Sequence, residues 1–238
     1  MPIHPAPHNV IENRLLAALP REECARLLPS LERVSLPQGK ILSDAGDLVS
    51  HAYFPLGGVV SFLSMTEDGE IIEVAIIGNE GMVGIPLILH MSVTPYRTVM
   101  RAPAEVMKMR AEVLQRELNR GGLLQELLLR YTHLFLAQVS QSAVCNRFHN
   151  VEARLCRWLL AARDRLESNS LHLTQEFISE MLGTPRTSVT TAALNLQSAG
   201  VISYRRGHIT VLDQRALERA ACECYWIIRK ETENFLGA

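Results

Sequence analysis

Several features are missing from this 238-residue sequence. No uncharged apolar run approaches the roughly 18 residues that a membrane-spanning helix needs. Residues 1–7, Met-Pro-Ile-His-Pro-Ala-Pro, contain neither the charged nor the apolar region of a secretion signal. The five cysteines are odd in number and mostly far apart, so they do not form a disulfide framework. These absences predict a cytoplasmic protein with reduced thiols and no membrane partner.

An excess of charge of one sign is also missing, because 24 Lys+Arg are balanced by 25 Asp+Glu. Aromatic residues make up only 5% of the chain, but 47% of the residues are hydrophobic and 21% are charged. This composition is that of a globular protein and excludes disorder and collagen-like structure. The length suits two modest domains. Residues 150–215 carry 8 Lys+Arg against 6 Asp+Glu, a small excess that permits an anionic partner without demonstrating one.

Sequence signatures of catalysis are absent. The chain has no Gly-x-Ser-x-Gly, His-Glu-x-x-His, Walker or Gly-x-Gly-x-x-Gly motif, so we predict that it is not an enzyme. Cys222 and Cys224 fall in a predicted terminal helix, where residues two apart point about 200° away from each other. We therefore predict no metal site and no cofactor, and a redox role stays open. The histidines, including His4 and His8, show no spacing typical of haem ligands.

The first half of the chain is typical of β-structure. From about residue 34 to residue 109, β-branched and aromatic runs alternate with Gly, Pro and Asp-Gly turns. Runs 59–65 and 71–77, joined through Asp68-Gly69, predict a hairpin. Two short helices are expected within residues 10–28. The pattern predicts an antiparallel roll or barrel.

A long helix is predicted next, over residues 123–146, with a length of roughly 36 Å. One interpretation is a core helix packed within a single domain. In the other, which the length favours, one apolar stripe lies on the β-roll and another contacts a second subunit. We assign the a/d heptad stripe to a homodimer interface. Its residues are Leu124, Leu128, Tyr131, Phe135, Gln138 and Ser142.

Two short helices joined by a glycine follow. Thr174 caps the first, Gly183 ends it, and Thr184-Pro185 opens the second, which predicts a helix-turn-helix. A hairpin with arginines at its tip comes after it and is typical of a wing that touches phosphates. The alternative is a helical hairpin with a solvated basic turn. The candidate DNA-contacting residues are Thr174, Arg186, Thr187, Ser188, Thr190, Thr191, Arg205, Arg206 and His208.

Residues 173–212 resemble the winged helix-turn-helix of the Crp/Fnr family of bacterial transcription regulators, and the order of elements is similar over nearly the full chain. The resemblance implies an α+β fold with an N-terminal antiparallel β-roll, a cyclic-nucleotide-binding-like jelly roll. The expected domains are a sensor (1–120), a dimerisation helix (121–148) and a winged helix-turn-helix domain (149–238).

The resemblance also implies the partners. Family members are homodimers that read a two-fold symmetric operator in double-stranded DNA, and an activator contacts RNA polymerase. By position, Arg186 matches the family's base-contacting arginine and Thr174 a phosphate-contacting threonine. Thr187 and Thr191 stand where the cyclic-AMP receptor protein has a glutamate and a second arginine. We therefore expect a different operator.

The sensor departs further from the family pattern. The family's cyclic-nucleotide pocket uses a Gly-Glu pair for the ribose and an Arg-Ser pair for the phosphate. The matching positions here are Gly84-Ile85 and Arg97-Thr98, so the glutamate is missing. We expect an unidentified small-molecule effector in place of classical cyclic-AMP control.

The family's iron–sulfur clusters need four thiolates, and only Cys24 lies near the N-terminus, so the ligands for such a cluster are not available here. Two alternatives remain open. A small-molecule, redox or haem sensing module with weak or vestigial DNA binding is one alternative to a regulator. An enzyme that uses the roll as its pocket is another, although no acid/base constellation supports it.

Overall fold

The computed structural model describes residues 12–237, so His4, His8 and the N-terminal heptapeptide lie outside the described residues. The helices are α1 (Arg14–Ala17), α2 (Arg21–Leu27), α3 (Ile85–Ile88), α4 (Ala111–Asn119), α5 (Leu123–Phe148), α6 (Val151–Leu166), α7 (Gln175–Leu182), α8 (Arg186–Ser198), α9 (Gln214–Ala220) and α10 (Cys224–Gly237). The strands are β1 (Glu32–Leu36), β2 (Ile41–Ser43), β3 (His51–Pro55), β4 (Val59–Met65), β5 (Ile71–Ile77), β6 (Arg97–Ala102), β7 (Ala104–Arg110), β8 (Ser170–His172), β9 (Ile202–Arg205) and β10 (His208–Val211).

The chain divides into two compact units. The first contains the residues up to Val60, Ile77–Leu134 and the residues from Asn234 onward. The second contains Ser61–Ile76 and Phe135–Glu233. Among the helices of residues 12–237, none combines the length and the apolar character that crossing a bilayer requires.

Antiparallel strands run through the first unit. One sheet there has the order β1-β7-β3, and β2 pairs with β6. Side chains alternate across the start of β3, so Ala52 and Phe54 are fully buried while His51 and Tyr53 are half-buried. Asn13 is buried beside them. Its carboxamide accepts a hydrogen bond from Leu16 N and donates to the carbonyls of Pro55 (2.8 Å) and Gly81 (3.0 Å), which fixes the start of α1.

The predicted hairpin is confirmed, with strands β4 and β5 on the predicted residues and a positive φ at Gly69. Apart from the first residues of β4 and the last of β5, it belongs to the second unit. Glu73 on β5 is buried, and its carboxyl group accepts hydrogen bonds from Ser61 Oγ and from Trp158 Nε1, the latter at 2.6 Å. A buried carboxyl group needs such donors, so these contacts fasten the hairpin to α6.

Helix α5 forms as expected, but its heptad stripe does not face a partner. All six residues that were assigned to the dimer interface are buried within the single chain, Leu128 completely. Tyr131 Oη donates to the Met82 carbonyl (2.8 Å), Gln138 Nε2 donates to the Ile76 carbonyl (3.0 Å), and the Phe135 ring packs on Phe62. Burial of all six side chains within one chain contradicts the assignment of this stripe to a subunit interface. The residues whose assignment to the interface is withdrawn are Leu124, Leu128, Tyr131, Phe135, Gln138 and Ser142.

Capping side chains set three helix starts in the second unit, and the cap at Thr174 is the one that the sequence analysis predicts. Asn150 Oδ1 accepts from Ala153 N, Thr174 Oγ1 from Phe177 N, and Asp213 Oδ1 from Ala216 N. The terminal helix that was predicted to contain both Cys222 and Cys224 is interrupted. Helix α9 ends at Ala220 and α10 begins at Cys224, so Cys222 lies in an irregular segment.

Replacing Trp158 by Phe tests the buried carboxyl contact. The substitution keeps an aromatic ring but removes the N–H that donates to Glu73. We expect Trp158→Phe to lower the free energy of unfolding by roughly 1–3 kcal/mol in urea titrations followed by circular dichroism. Trp226→Phe is the matched control, since Trp226 is 45% exposed, and should change stability by less than about 0.5 kcal/mol. Equal effects of the two substitutions would contradict this role of Trp158.

Candidate nucleic-acid interface and sensor pocket

The helix-turn-helix is shaped by a tight turn between α7 and α8. Gly183 adopts a left-handed conformation (φ 53°), which favours glycine. Ser179 Oγ donates to the Thr184 carbonyl (2.5 Å), and Thr184 N donates back to the Ser179 carbonyl (3.1 Å). Pro185 is the N-cap of α8 and Arg186 is its first helical residue, one position later than the sequence predicts. The turn thus places Arg186 at the N-terminal end of the second helix.

Three of the predicted DNA-contacting residues meet in one surface groove. Thr174, Arg186 and Arg206 line a concavity of about 410 Å³, together with Glu176 and Tyr204. Arg186 Nη2 lies 2.8 Å from Glu176 Oε2, and both side chains are more than half exposed. Arg186 and Arg206, both predicted to contact DNA, therefore lie on one open surface.

The hydroxyl side chains of α8 behave differently from one another. Thr190 Oγ1 and Thr191 Oγ1 donate to the carbonyls of Arg186 (2.9 Å) and Thr187 (3.0 Å), one turn earlier. Their oxygen lone pairs and methyl groups remain for a ligand, but their protons are engaged. Thr187 is exposed, whereas Ser188 is half-buried. The structure does not bring these four residues into the groove.

The wing is a two-residue hairpin between β9 and β10. Arg206 (φ 48°) and Gly207 (φ 79°) both have positive φ, as a type I′ turn requires. Arg205 pairs with His208 across the hairpin, and both are exposed outside the groove lining. Leu173 N donates to the Gly207 carbonyl (2.6 Å), so the wing is held next to the start of α7.

The predicted effector residues are only partly brought together. Gly84 and Thr98 line a cavity of about 170 Å³ in the first unit. Ile85 is buried and does not line it, and neither does Arg97. The remaining lining is mostly polar and includes the sequence-distant Ser43, Asp47, Ser50, His51, Tyr53, Thr94 and Tyr96. Burial lowers the pKa of His51 and raises that of Tyr96.

The Arg97 guanidinium is paired with a carboxylate of the same chain. Its Nε lies 3.0 Å from Asp44 Oδ1 and its Nη2 lies 2.7 Å from Asp44 Oδ2, a bidentate pair. The Arg97 guanidinium lowers the pKa of Asp44 through this hydrogen bonding. An anionic ligand at Arg97 would have to displace Asp44, which the sequence did not indicate.

Two family models match this chain. The cyclic nucleotide-binding domain matches residues 33–120, and the Crp-like helix-turn-helix domain matches residues 153–220. The global nitrogen regulator of Synechocystis sp. PCC 6803 is 25% identical over 221 residues, covering 89% of this chain and 97% of that protein. The chain belongs to the Crp/Fnr family.

Solved structures share the fold. FixK2 from Bradyrhizobium japonicum has a TM-score of 0.67 at 14% identity, covering 81% of this chain and 98% of that one. The Crp-family regulator TTHB099 from Thermus thermophilus has a TM-score of 0.65 at 20% identity, covering 79% and 96%. The protein is thus a DNA-binding transcription regulator of the Crp/Fnr type, and its relatives are regulators and not enzymes.

Sequence reasoning missed a cluster of thiols in this Crp/Fnr protein. The interruption between α9 and α10 invalidates the argument that Cys222 and Cys224 point apart on one helix, and the prediction of no metal site loses its basis. Cys222 Sγ lies 3.6 Å from Cys145 Sγ, and Cys224 Sγ lies 3.4 Å from His149 Nδ1. The hydrogen bond between the two thiols lowers the pKa of Cys145 and raises that of Cys222. The helical i, i+4 spacing of Cys145 and His149 was the available signal.

Proposed function

We propose that the protein is a homodimer that reads a two-fold symmetric operator through the groove at Thr174, Arg186 and Arg206. The convergence of these residues from three separate elements is the observation that carries the proposal. Helix α8 would enter the major groove, with half-sites about 34 Å apart. The wing arginines, Arg205 and Arg206, and Thr174 would bind phosphates.

Arg186 is the base-reading residue in this proposal. Its guanidinium stands at the first turn of α8, where recognition helices meet base edges. A free arginine can donate two parallel hydrogen bonds to guanine O6 and N7. Glu176 holds this guanidinium in the groove before DNA arrives, and on the operator its carboxylate can accept from cytosine N4. Thr187 and Thr191 offer hydroxyls and methyl groups beside it.

The dimer would form through a different stripe of α5 from the heptad stripe of the sequence prediction. Leu129 and Leu136 are 49% and 58% exposed, and Ala143 is also exposed. They recur every seven residues, so they lie on one side of the helix, with His133 and Ser140 between them. Pairing this stripe with its copy in a second subunit would bury leucines that otherwise face water.

The cavity at Gly84 and Thr98 is the proposed effector site. Its polar lining and modest volume suit a small polar molecule. Asp44 neutralises Arg97, and residue 85 is Ile, so neither the phosphate nor the ribose of cyclic AMP has its family partner. If the regulator is an activator, its DNA-bound dimer would contact RNA polymerase.

Arginine substitutions test the DNA-binding groove. Arg186→Ala should cost roughly 1–3 kcal/mol on the operator and relax preference at one base pair in each half-site, because a bidentate base contact is lost. Arg206→Ala should weaken all duplexes alike and reduce the salt slope by about 1, because a phosphate contact is lost. Operators selected from a random duplex pool, followed by fluorescence anisotropy against salt, measure both effects.

Arg21→Ala is the control for these variants, since Arg21 is exposed on α2 in the first unit. Its binding should equal that of the unmodified protein. If Arg186→Ala lost the same affinity on operator and random DNA, Arg186 would be a phosphate contact and the assignment would be wrong.

Leu136→Glu tests the revised dimer stripe. A carboxylate at the centre of the seam would face its copy, and desolvating it opposes association. We expect a dimer for the unmodified protein and at least a tenfold weaker dimerisation for Leu136→Glu in sedimentation equilibrium. Leu212→Glu, at a residue that is 60% exposed outside α5, should leave the dimer intact. A dimer that survives Leu136→Glu unchanged would move the interface elsewhere.

Cyclic AMP should not bind tightly. The missing ribose partner by itself should weaken cyclic AMP binding by about 1–3 kcal/mol, roughly 5- to 150-fold relative to a site that has this partner. The Asp44 carboxylate further opposes the phosphate at Arg97. Isothermal titration should show no saturation with the unmodified protein and stronger binding to Asp44→Asn. Tight, stoichiometric binding to the unmodified protein would contradict this description of the pocket.

A further inference from the structure

Four soft donor groups converge at the end of α5. Cys145 lies in the last turn of α5, and His149 follows four residues later, so both lie on the same side of the helix axis. Cys222 lies in the segment that connects α9 to α10, and Cys224 is the first residue of α10. The three Sγ atoms and a ring nitrogen of His149 all lie within 4.8 Å of one another. Residues nearly 80 positions apart in sequence thus present their donor atoms to one point.

Two of the donor–donor separations match the edges of a metal tetrahedron, and all of them lie within 4.8 Å. Zn–S bonds of about 2.3 Å and Zn–N bonds of about 2.0 Å give S···S edges of roughly 3.8 Å and S···N edges of roughly 3.5 Å. The Cys145–Cys222 and Cys224–His149 separations are 3.6 and 3.4 Å. A spread of this size accommodates a single ion.

The neighbours of the cluster are those that metal ligands need. His149 Nε2 lies 3.2 Å from Glu223 Oε1, so a carboxylate can hold the far side of the ring while Nδ1 faces the thiols. Gln141 Nε2 donates to Cys224 Sγ at 3.1 Å. Three thiolates and a divalent cation carry one net negative charge. The guanidinium groups of Arg154 and Arg157 act electrostatically on Cys145 and can offset it.

We propose that Cys145, His149, Cys222 and Cys224 form a four-coordinate site for one zinc-class divalent ion. Three sulfurs and one imidazole nitrogen are the donor set of closed structural zinc sites. The ion replaces the protons of the three thiols, which leave to solvent. It ties the α9–α10 connection to the C-terminal end of α5, next to Asn150, where α6 begins. The proposed metal site shares no residue with the proposed DNA-binding groove.

Cobalt titration of the full-length protein tests the site. Reduced protein, freed of metal by a chelator, is titrated with Co²⁺, whose visible absorption is intense only in four-coordinate sites and whose near-ultraviolet band reports thiolate bonds. We expect one Co²⁺ per chain with both signatures, displaced by Zn²⁺. No binding, or the weak spectrum of a six-coordinate ion, would overturn the proposal.

Variants assign the ligands. Cys145→Ser and Cys222→Ser should each remove the thiolate band or weaken it, and lower Zn²⁺ affinity by more than a hundredfold. Cys24→Ser, in α2 of the first unit, is the matched thiol control and should bind normally. Glu223→Gln keeps all four donors, so it tests the site even if the serine variants misfold. It should lower Zn²⁺ affinity by about 10- to 100-fold in a chelator competition.

The competing outcome is a thiol pair without metal. If Cys145 and Cys222 form a disulfide in air, and the reduced protein shows no Zn²⁺ affinity, the cluster is a redox pair and the metal proposal is wrong. Unchanged Zn²⁺ affinity in Cys145→Ser and Cys222→Ser would overturn it equally, because the ion would then lie elsewhere. Zn²⁺ should also raise the thermal midpoint of the unmodified protein and of Cys24→Ser, but not of Cys222→Ser.

Discussion

The arrangement depends on one constraint, which is that helix α5 has apolar residues on more sides than a single neighbour covers. A 26-residue helix with this composition cannot stand alone in water. Tyr131 and Gln138 anchor one stripe to the carbonyls of Met82 and Ile76, so the chain itself satisfies that side. Leu129 and Leu136 remain on another side. Crp-family regulators typically act as dimers, and the second subunit of the proposed dimer would cover these leucines.

Local rules predicted most of the elements. Asp68-Gly69, Thr174 and Gly183 each carry a backbone or capping preference that acts within a few residues, and each determined its turn or cap as expected. Which stripe of α5 faces inward was not predictable in this way. Heptad spacing describes both stripes, and only the strands that pack against the helix decide between them.

The prediction of site residues failed where the partners of a residue are distant in sequence. Arg186 and Thr174 lie close in sequence and were predicted to work together, and the groove contains both. Arg97 was matched to a phosphate-binding position, yet its partner is Asp44, 53 residues earlier. The thiol cluster joins residues 77 positions apart and depends on a helix break after Ala220. Periodicity within one segment carries no information about such pairings.

The β4–β5 hairpin gives the sensor sequence a physical connection to the DNA-reading elements. It lies within the residues that match the cyclic nucleotide-binding model, yet Ser61–Ile76 folds with the second unit. The Glu73 carboxyl group accepts a hydrogen bond from Trp158 on α6. The Ile72 side chain lies against Gly183, so a Cβ added at Gly183 would be only 3.0 Å from it. Since packed interiors tolerate little displacement, movement of the hairpin must either break the buried Glu73 hydrogen bonds or carry α6 and the α7–α8 turn with it. The position of Arg186 is therefore tied to the hairpin by contacts inside one unit, and Gly183 is constrained both by its positive φ and by the lack of room for a side chain.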